Sequence, residues 1–130
     1  MNNTDRALLL KVTELLHMLG LPAHIKGFYY IREAIIISTY KPQLLNSITK
    51  SLYPEIANSY HTSVASVERA IRHAIEVAWS RGNIEILTEY FGHSIAYHKG
   101  KPTNSEFISI IVDYLRINDF SYSRNEFINY

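Results

Sequence analysis

The most regular pattern of apolar and polar positions in this sequence lies between His61 and Gly82. Apolar side chains recur there at the three- and four-residue spacing of one helix face: Val67, Ala70, Ile71, Ala74, Ile75, Ala78 and Trp79. The opposite face carries the polar side chains of Ser66, Arg69, Arg72, His73 and Glu76. The pattern predicts an amphipathic helix of about five turns, capped by Thr62 or Ser63 and ended by Gly82. One face is therefore predicted to be buried, and the other to present two guanidinium groups one turn apart.

Similar periodicity predicts helices in the first half of the chain. They cover Thr4 to about Leu19, Lys26 to Thr39, Pro42 to about Ser51 and Pro54 to Ser59. The second of these also has strand character, because it contains Phe-Tyr-Tyr and Ile-Ile-Ile runs, but the spacing of its apolar residues favours a helix. Pro54 is predicted to interrupt the helical backbone near Tyr53.

Two further helices are predicted after Gly82. Asn83 can cap a short helix from Ile84 to Phe91, and the run Pro102–Glu106 is typical of the start of a helix that continues to about Arg116. A loop is predicted over 93–101. The fold class is therefore all-α, with one domain over residues 1–116 and a tail over residues 117–130.

Length, charge and cysteine content narrow the class of protein. A chain of 130 residues is long enough for one domain with a hydrophobic core, and the absence of cysteine excludes disulfides and thiolate metal sites. No apolar run approaches the length of a membrane span and no secretory leader is visible, so we expect a soluble, cytoplasmic protein without a membrane partner. The net charge of +1 neither supports nor excludes binding to nucleic acid.

Enzyme and metal-binding motifs are absent from the sequence. The six histidines form neither H-x-x-x-H nor H-E-x-x-H, and there is no G-x-S-x-G, Walker loop or Rossmann glycine run. We therefore expect a protein that is not an enzyme and that needs no metal and no cofactor.

The order of short helix, turn and long helix with a polar outer face follows the plan of a helix-turn-helix. In that plan the rest of the bundle braces the second helix, so that its exposed face can enter a major groove. Many small helical bundles contain such a pair, so periodicity alone leaves an alternative open. The long helix could instead dock a partner helix and use Arg69 and Arg72 to bind acidic residues, which would make the chain a protein-interaction module.

Four longer segments resemble one protein family and occur in its order. They are L-G-L-P-A-H-I-K-G-F-Y-Y-I-R-E-A-I (Leu19–Ile35), I-T-K-S-L-Y-P-E-I-A (Ile48–Ala57), V-E-R-A-I-R-H-A-I-E-V-A-W-S-R-G-N (Val67–Asn83) and K-P-T-N-S-E-F-I (Lys101–Ile108). They are similar to the DNA-binding effector domain of the master response regulator of sporulation in endospore-forming bacteria. The resemblance covers roughly residues 13–116 and is specific, because the motifs are long and several.

The resemblance implies a bundle of six helices that contains a helix-turn-helix. It implies sequence-specific binding to double-stranded promoter DNA, and both activation and repression in the control of sporulation initiation. It also implies a homodimer on tandem DNA elements and a contact with the sigma subunit of RNA polymerase. Full-length members of the family carry a phosphorylated receiver domain, and we expect this chain to be the effector part of such a two-component regulator, without the receiver.

The base-reading positions of the family match Glu68, Arg69 and Arg72. Each arginine can donate twice to guanine, and the glutamate can accept from cytosine. His73 is adjacent and is expected to reach a phosphate or a base. The family usually has Ser-Arg before Val-Glu-Arg, whereas this chain has Ala65-Ser66. Ser66 can make only a shorter, neutral contact, so we expect weaker or relaxed recognition at the base that an arginine would touch.

Contacts to the DNA backbone and to the polymerase are also expected. Backbone candidates are Thr62 and Ser63 at the helix start, and Lys50, Lys99, Lys101 and Asn104 by charge and position. The resemblance implies a sigma contact at Ile86, Thr88 and Phe91 on the short helix after Gly82. The alternative is that Ile84, Leu87 and Phe91 pack into the core. For Phe91 this is an equally good interpretation, because aromatic side chains are commonly buried.

Overall fold

The computed structural model describes residues 3–92 and 100–118 of the chain. Those residues form six α-helices: α1 (Asn3–Met18), α2 (Lys26–Tyr40), α3 (Tyr53–Ser59), α4 (Val64–Arg81), α5 (Ile84–Phe91) and α6 (Asn104–Asn118). The described ranges contain no strand, which confirms the all-α prediction and settles the ambiguous second segment as a helix. No helix within them is both long enough and apolar enough to span a membrane.

Helix α2 lies at the centre of the bundle and packs against α1, α4 and α6. Its side chains Phe28, Ile31 and Ile35 are essentially inaccessible to solvent, and Tyr30 on another side is also buried. Burial of each large apolar side chain contributes about 1.5–3 kcal/mol to folding. Because α2 is covered on more than one side, it lacks a polar stripe, and this explains why its sequence resembled a strand as well as a helix.

A close crossing of α2 and α4 depends on Gly27. A Cβ atom at this position would overlap the main-chain oxygen of Ala70 and would lie 2.7 Å from the Cβ of Ala74. The two helices can therefore approach this closely only because glycine faces two alanines. The crossing covers the apolar face of α4 and leaves its polar face directed away from the core.

The connection between α2 and α3 differs from the prediction of a helix from Pro42 to about Ser51. It consists of a 3₁₀ turn at Pro42–Asn46 and a π-helical turn at Ile48–Leu52. The predicted break near Tyr53 is also wrong, since the backbone there is helical (φ −61°, ψ −41°) and the interruption falls at Ser47 (φ −147°, ψ 54°).

The physical reason for this difference lies in the position of Pro54. It occupies the first turn of α3, where its missing N–H leaves no helical bond unmade. The N–H of Tyr53 bonds the carbonyl of Ile48, five residues earlier. The wider π turn therefore leads the chain into the proline without a break.

Helix α6 ends two residues beyond the predicted end at Arg116. The side chain of Arg116 is buried, and its guanidinium donates to the main-chain oxygen of Thr39 at 2.9 Å, which joins the ends of α6 and α2. A basic residue at an expected helix end predicts a solvated side chain, so this buried contact had no signal in the sequence. Most of the predicted tail (119–130) and of the predicted loop (93–99) lies outside the described residues.

Candidate nucleic-acid interface

Helix α4 places its two faces as the periodicity predicts. Its buried side chains are those of Val67, Ile71, Ala74, Ile75 and Ala78. Trp79 is partly buried and packs edge-to-face on Phe91, with ring centroids 5.2 Å apart. Arg69, Arg72 and His73 are exposed. The guanidinium groups therefore lie on the outside while the apolar stripe packs against α2.

The start of α4 is capped by Ser63 and not by Thr62. The Ser63 hydroxyl oxygen accepts from the main-chain N–H of Ser66 at 3.1 Å, and the two serine hydroxyls lie 2.9 Å apart. A short turn over residues 60–63 connects α3 to α4, and in it His61 adopts a left-handed conformation (φ 53°). This order and these lengths are compatible with a helix-turn-helix.

Glu68 and Arg72 form an ion pair on the outer face of α4. The Arg72 Nη2 lies 2.9 Å from the Glu68 Oε1, and the two side chains are 50% and 43% exposed. An exposed pair one helical turn apart stabilises a helix by only about 0.3–0.5 kcal/mol. The pair therefore orients both groups but is weak enough to separate when a better partner approaches.

The segment that begins α6 is attached to α4 at two points. The Asn104 Nδ2 donates to the main-chain oxygen of Glu68 at 3.0 Å, and the Lys101 Nζ lies 3.0 Å from the Glu76 Oε1. The hydrogen bond and the charge of Lys101 lower the pKa of the Glu76 carboxyl. Lys101 and Asn104 are thus brought beside the polar face of α4.

A groove of about 820 Å³ lies between the start of α4, the start of α6 and the region just before α3. It is lined by Thr49, Tyr53, Val64, Ala65, Glu68, Arg72, Ile75, Lys101, Pro102, Thr103, Asn104 and Ser105. Burial raises the pKa of the Tyr53 hydroxyl, and the Asn104 side chain acts against this as a hydrogen-bonding neighbour that lowers it. The groove thus brings cationic, anionic and apolar side chains together beside the start of α4.

Comparison with protein-family models gives one assignment over most of the chain. The model described as "Sporulation initiation factor Spo0A C terminal" matches residues 12–115. The chain belongs to the family of Spo0A C-terminal domains. These are DNA-binding effector domains of a sporulation transcription factor and not enzymes. Family membership therefore confirms DNA binding and transcription regulation in sporulation, and it decides against a module that binds only protein.

The remaining contact residues that the sequence predicts lie in different surroundings. Lys50 is exposed on the π turn, Ser66 is half-buried beside its capping partner, and Thr62 is half-buried in the turn before α4. Lys99 lies outside the described residues. The structure brings four of the predicted residues to one groove: Glu68, Arg72, Lys101 and Asn104. Lys50 does not line the groove, but the residue before it, Thr49, does.

The expected contact of Phe91 with the sigma subunit conflicts with the position of this side chain in the structure. Phe91 is only 1% exposed and stacks on Phe107, with ring centroids 5.1 Å apart. It cannot offer a surface to polymerase, and the alternative interpretation, packing into the core, is the one that the structure supports. Thr88 is exposed and Ile86 is half-buried. Leu87 is also buried, as the alternative interpretation predicts, but that interpretation is wrong for Ile84, which is 64% exposed.

Two residues of the site were not predicted from the sequence. The sequence marks Tyr53 only as the residue before a proline, and Glu76 only as part of the polar face of α4. Neither has a local signal for its role, because Tyr53 lines the groove with the distant Asn104, and Glu76 pairs with the distant Lys101.

Proposed function

We propose that α3, the turn over residues 60–63 and α4 form a helix-turn-helix, and that α4 is the recognition helix that reads promoter DNA in the major groove. The observation that carries this proposal is the outward exposure of Arg69 and Arg72 on a helix whose residues Ile71 and Ile75 are buried. A helix braced in this way can enter a groove without uncovering the core. The chain would then act as a sequence-specific activator and repressor of sporulation initiation, as the effector part of a two-component regulator.

The base contacts follow from the chemistry of the three exposed groups. Arg69 is exposed and has no ion-pair partner among the described residues. Its guanidinium can therefore donate to O6 and N7 of a guanine without first leaving an ion pair in that part of the chain. Arg72 reaches a second guanine when its ion pair with Glu68 opens. The released carboxylate then accepts from N4 of a cytosine and repels a misplaced phosphate, which adds discrimination more than affinity.

The groups around this face supply contacts that do not depend on base sequence. The start of α4, with Thr62 and Ser63, presents main-chain N–H groups and the positive end of the helix dipole to a phosphate. Lys50, Lys101 and His73 are exposed and add hydrogen-bonding or cationic groups nearby, and Lys99 belongs to the same proposal by its position in the sequence. Such contacts fix the position of the protein on the duplex.

Contacts with other proteins are a finer part of the same proposal. Thr88 and Ile86 on α5, a short helix that follows α4 in the chain, are proposed to contact the sigma subunit, while Phe91 only supports them from the core. Two copies of the chain are proposed to bind as a head-to-tail homodimer on tandem elements.

Selection from a random duplex pool, followed by sequencing, tests the base-reading proposal. We expect one enriched sequence with G and C in its core. In titrations of a labelled duplex of that sequence and a scrambled duplex of equal composition, affinity should fall steeply with salt. Arg69→Ala should reduce the preference for the enriched duplex by roughly tenfold or more, as loss of a bidentate guanine contact costs about 1–3 kcal/mol.

Arg81→Ala is the matched control. Arg81 is an exposed arginine on the same helix, about 18 Å from Arg69 along the axis, so its removal changes net charge equally. It should leave the preference intact. Binding that is insensitive to salt and equal on both duplexes for the wild type would refute sequence reading by α4.

A further inference from the structure

One hydrogen bond connects the start of α6 to the backbone of α4 at the turn that carries the proposed base-reading residues. The Asn104 Nδ2 donates to the main-chain oxygen of Glu68, 36 positions earlier, at 3.0 Å. In an α-helix this oxygen also accepts from the N–H of Arg72. The amide therefore acts on the backbone between Glu68 and Arg72, and not on the side chain of either residue.

Asn104 is presented from a well-fixed helix start. Thr103 and Glu106 form a capping box, in which the Thr103 Oγ1 accepts from the Glu106 N–H at 3.1 Å and the Glu106 Oε1 accepts from the Thr103 N–H at 2.8 Å. Phe107 and Ile108, in the next turn, are completely buried. The position of Asn104 is therefore set by the core packing of α6.

The same side chain lies beside α3. Tyr53, the first residue of α3, is buried and lines the same groove as Asn104 and Glu68. Asn104 thus joins α4 to α6 at the groove that α3 also borders. The ion pair of Lys101 with Glu76 adds a second connection about 12 Å further along α4, but both of its side chains are nearly half exposed, so it holds the helix only loosely.

We propose that Asn104 is a positioning residue that sets the rotation and depth of α4 relative to α6, and so controls discrimination between DNA sequences without contacting DNA. The proposal replaces the sequence-based expectation that Asn104 binds the DNA backbone, and it rests on the proposed role of α4 as the recognition helix. Bidentate base contacts require side-chain placement within about 0.5 Å, whereas phosphate contacts by long, flexible side chains tolerate a small rotation of the helix. Loss of the Asn104 contact should therefore affect sequence preference selectively.

Fluorescence anisotropy with Asn104→Ala tests this role on the two duplexes defined above, the enriched sequence and its scrambled counterpart. We expect about tenfold weaker binding to the enriched duplex, unchanged binding to the scrambled duplex, and an unchanged dependence on salt. Asn118→Ala is the matched control and should change neither affinity, because Asn118 is an exposed asparagine at the other end of α6 that donates to the main-chain oxygen of Tyr114. Equal losses on both duplexes would indicate a direct backbone contact and overturn the proposal, as would no loss on either.

Asn104→Asp provides a second variant, in which the effect on DNA binding is not confounded by the high helix propensity of alanine. Aspartate is favourable in the first turn of a helix but cannot donate to the Glu68 oxygen. Its added charge weakens binding to both duplexes, so the informative quantity is the ratio of the two affinities, which should fall as in Asn104→Ala. Loss of the helical circular dichroism signal in both variants would show a role in stability alone and would overturn the proposal.

A mutant cycle with Arg72→Ala separates positioning from general weakening. If Asn104 acts by placing the base-reading side chains, Asn104→Ala should have a smaller effect on the preference once Arg72 is absent, because only Glu68 and Arg69 are then left to be displaced. Fully additive losses would contradict the positioning role. If the wild type itself prefers no sequence, the proposed function fails, whereas a wild-type preference that Asn104→Ala fully retains refutes only the role of Asn104.

Discussion

Ser66 occupies a position on the outer side of α4 where the family resemblance implies an arginine. Its main-chain N–H donates to the capping hydroxyl of Ser63, and its own hydroxyl lies 2.9 Å from the same group. The side chain is short and half-buried, so it can contribute little to a DNA contact. Because the cap uses the N–H of residue 66, a larger side chain at this position can project outward while the cap is retained.

Ser66→Arg is therefore expected to tighten binding to the enriched duplex. The new guanidinium adds a cation and a bidentate donor, and a bidentate contact contributes about 1–3 kcal/mol of discrimination in favour of the correct base. An unfavourable interaction with the helix dipole of about 0.3–1 kcal/mol opposes it. The measurement is a titration at fixed salt. Ser66→Lys is the control. It adds the same charge without a bidentate donor, so it should tighten binding to the enriched and scrambled duplexes alike. Unchanged affinity in Ser66→Arg would contradict the expectation.

At the scale of elements, the position of α4 depends on how closely it crosses α2. Gly27 lies against Ala70 and Ala74, where there is no room for another carbon atom. The start of α6 contacts α4 beside the polar face, through Asn104 and Lys101. Helix α4 is thus packed on α2 by its apolar face and attached to α6 at its polar edge.

Gly27→Ala tests the importance of this crossing. In an unconstrained helix the change would stabilise by up to about 1 kcal/mol, but here the new Cβ would overlap the main-chain oxygen of Ala70. We expect the free energy of unfolding to fall by about 3 kcal/mol, as measured by urea denaturation. Adding Ala70→Gly should not rescue the variant, because the obstructing atom belongs to the backbone. A change of less than about 0.5 kcal/mol would show that the helices can separate freely.

At the scale of the whole molecule, an aromatic contact joins α5 to α6. The rings of Tyr90 and Tyr114 meet edge-to-face with centroids 4.9 Å apart, and their hydroxyl oxygens are 3.5 Å apart. Burial, together with the neighbouring hydroxyl of Tyr114, raises the pKa of Tyr90 to about 12 from its ordinary value of 10. Between about pH 10 and pH 12, the folded protein therefore keeps a proton on Tyr90 that the unfolded chain releases.

The stability of the protein should consequently decrease as the pH rises from about 10 to about 12. In that interval the unfolded state binds fewer protons than the folded state, so the free energy of unfolding falls with increasing pH. Tyr90→Phe keeps the ring contact but removes the titrating hydroxyl, and it should make this decrease shallower. Denaturant midpoints at pH 9, 10 and 11 provide the measurement. Identical pH dependence in the variant and the wild type would argue against a shifted Tyr90.

Local sequence patterns determined the helices of this protein and the outer face of α4. The spacing of Val67, Ile71 and Ile75 predicts which side of α4 is buried, because a helix repeats its faces every three to four residues whatever its neighbours are. The same patterns failed between Pro42 and Tyr53. There the choice among 3₁₀, π and α turns depends on how the chain approaches a proline and on few local signals.

Only the tertiary structure decided which long-range partners meet. Asn104 bonds the Glu68 oxygen across 36 positions, Arg116 bonds the Thr39 oxygen across 77, and Phe91 packs on Phe107 inside the core. None of these contacts leaves a periodic trace, because each depends on how whole helices pack and not on the residues beside it in the chain. The chemistry that α4 can offer was therefore readable from the sequence, whereas the contacts that hold α4 in place were not.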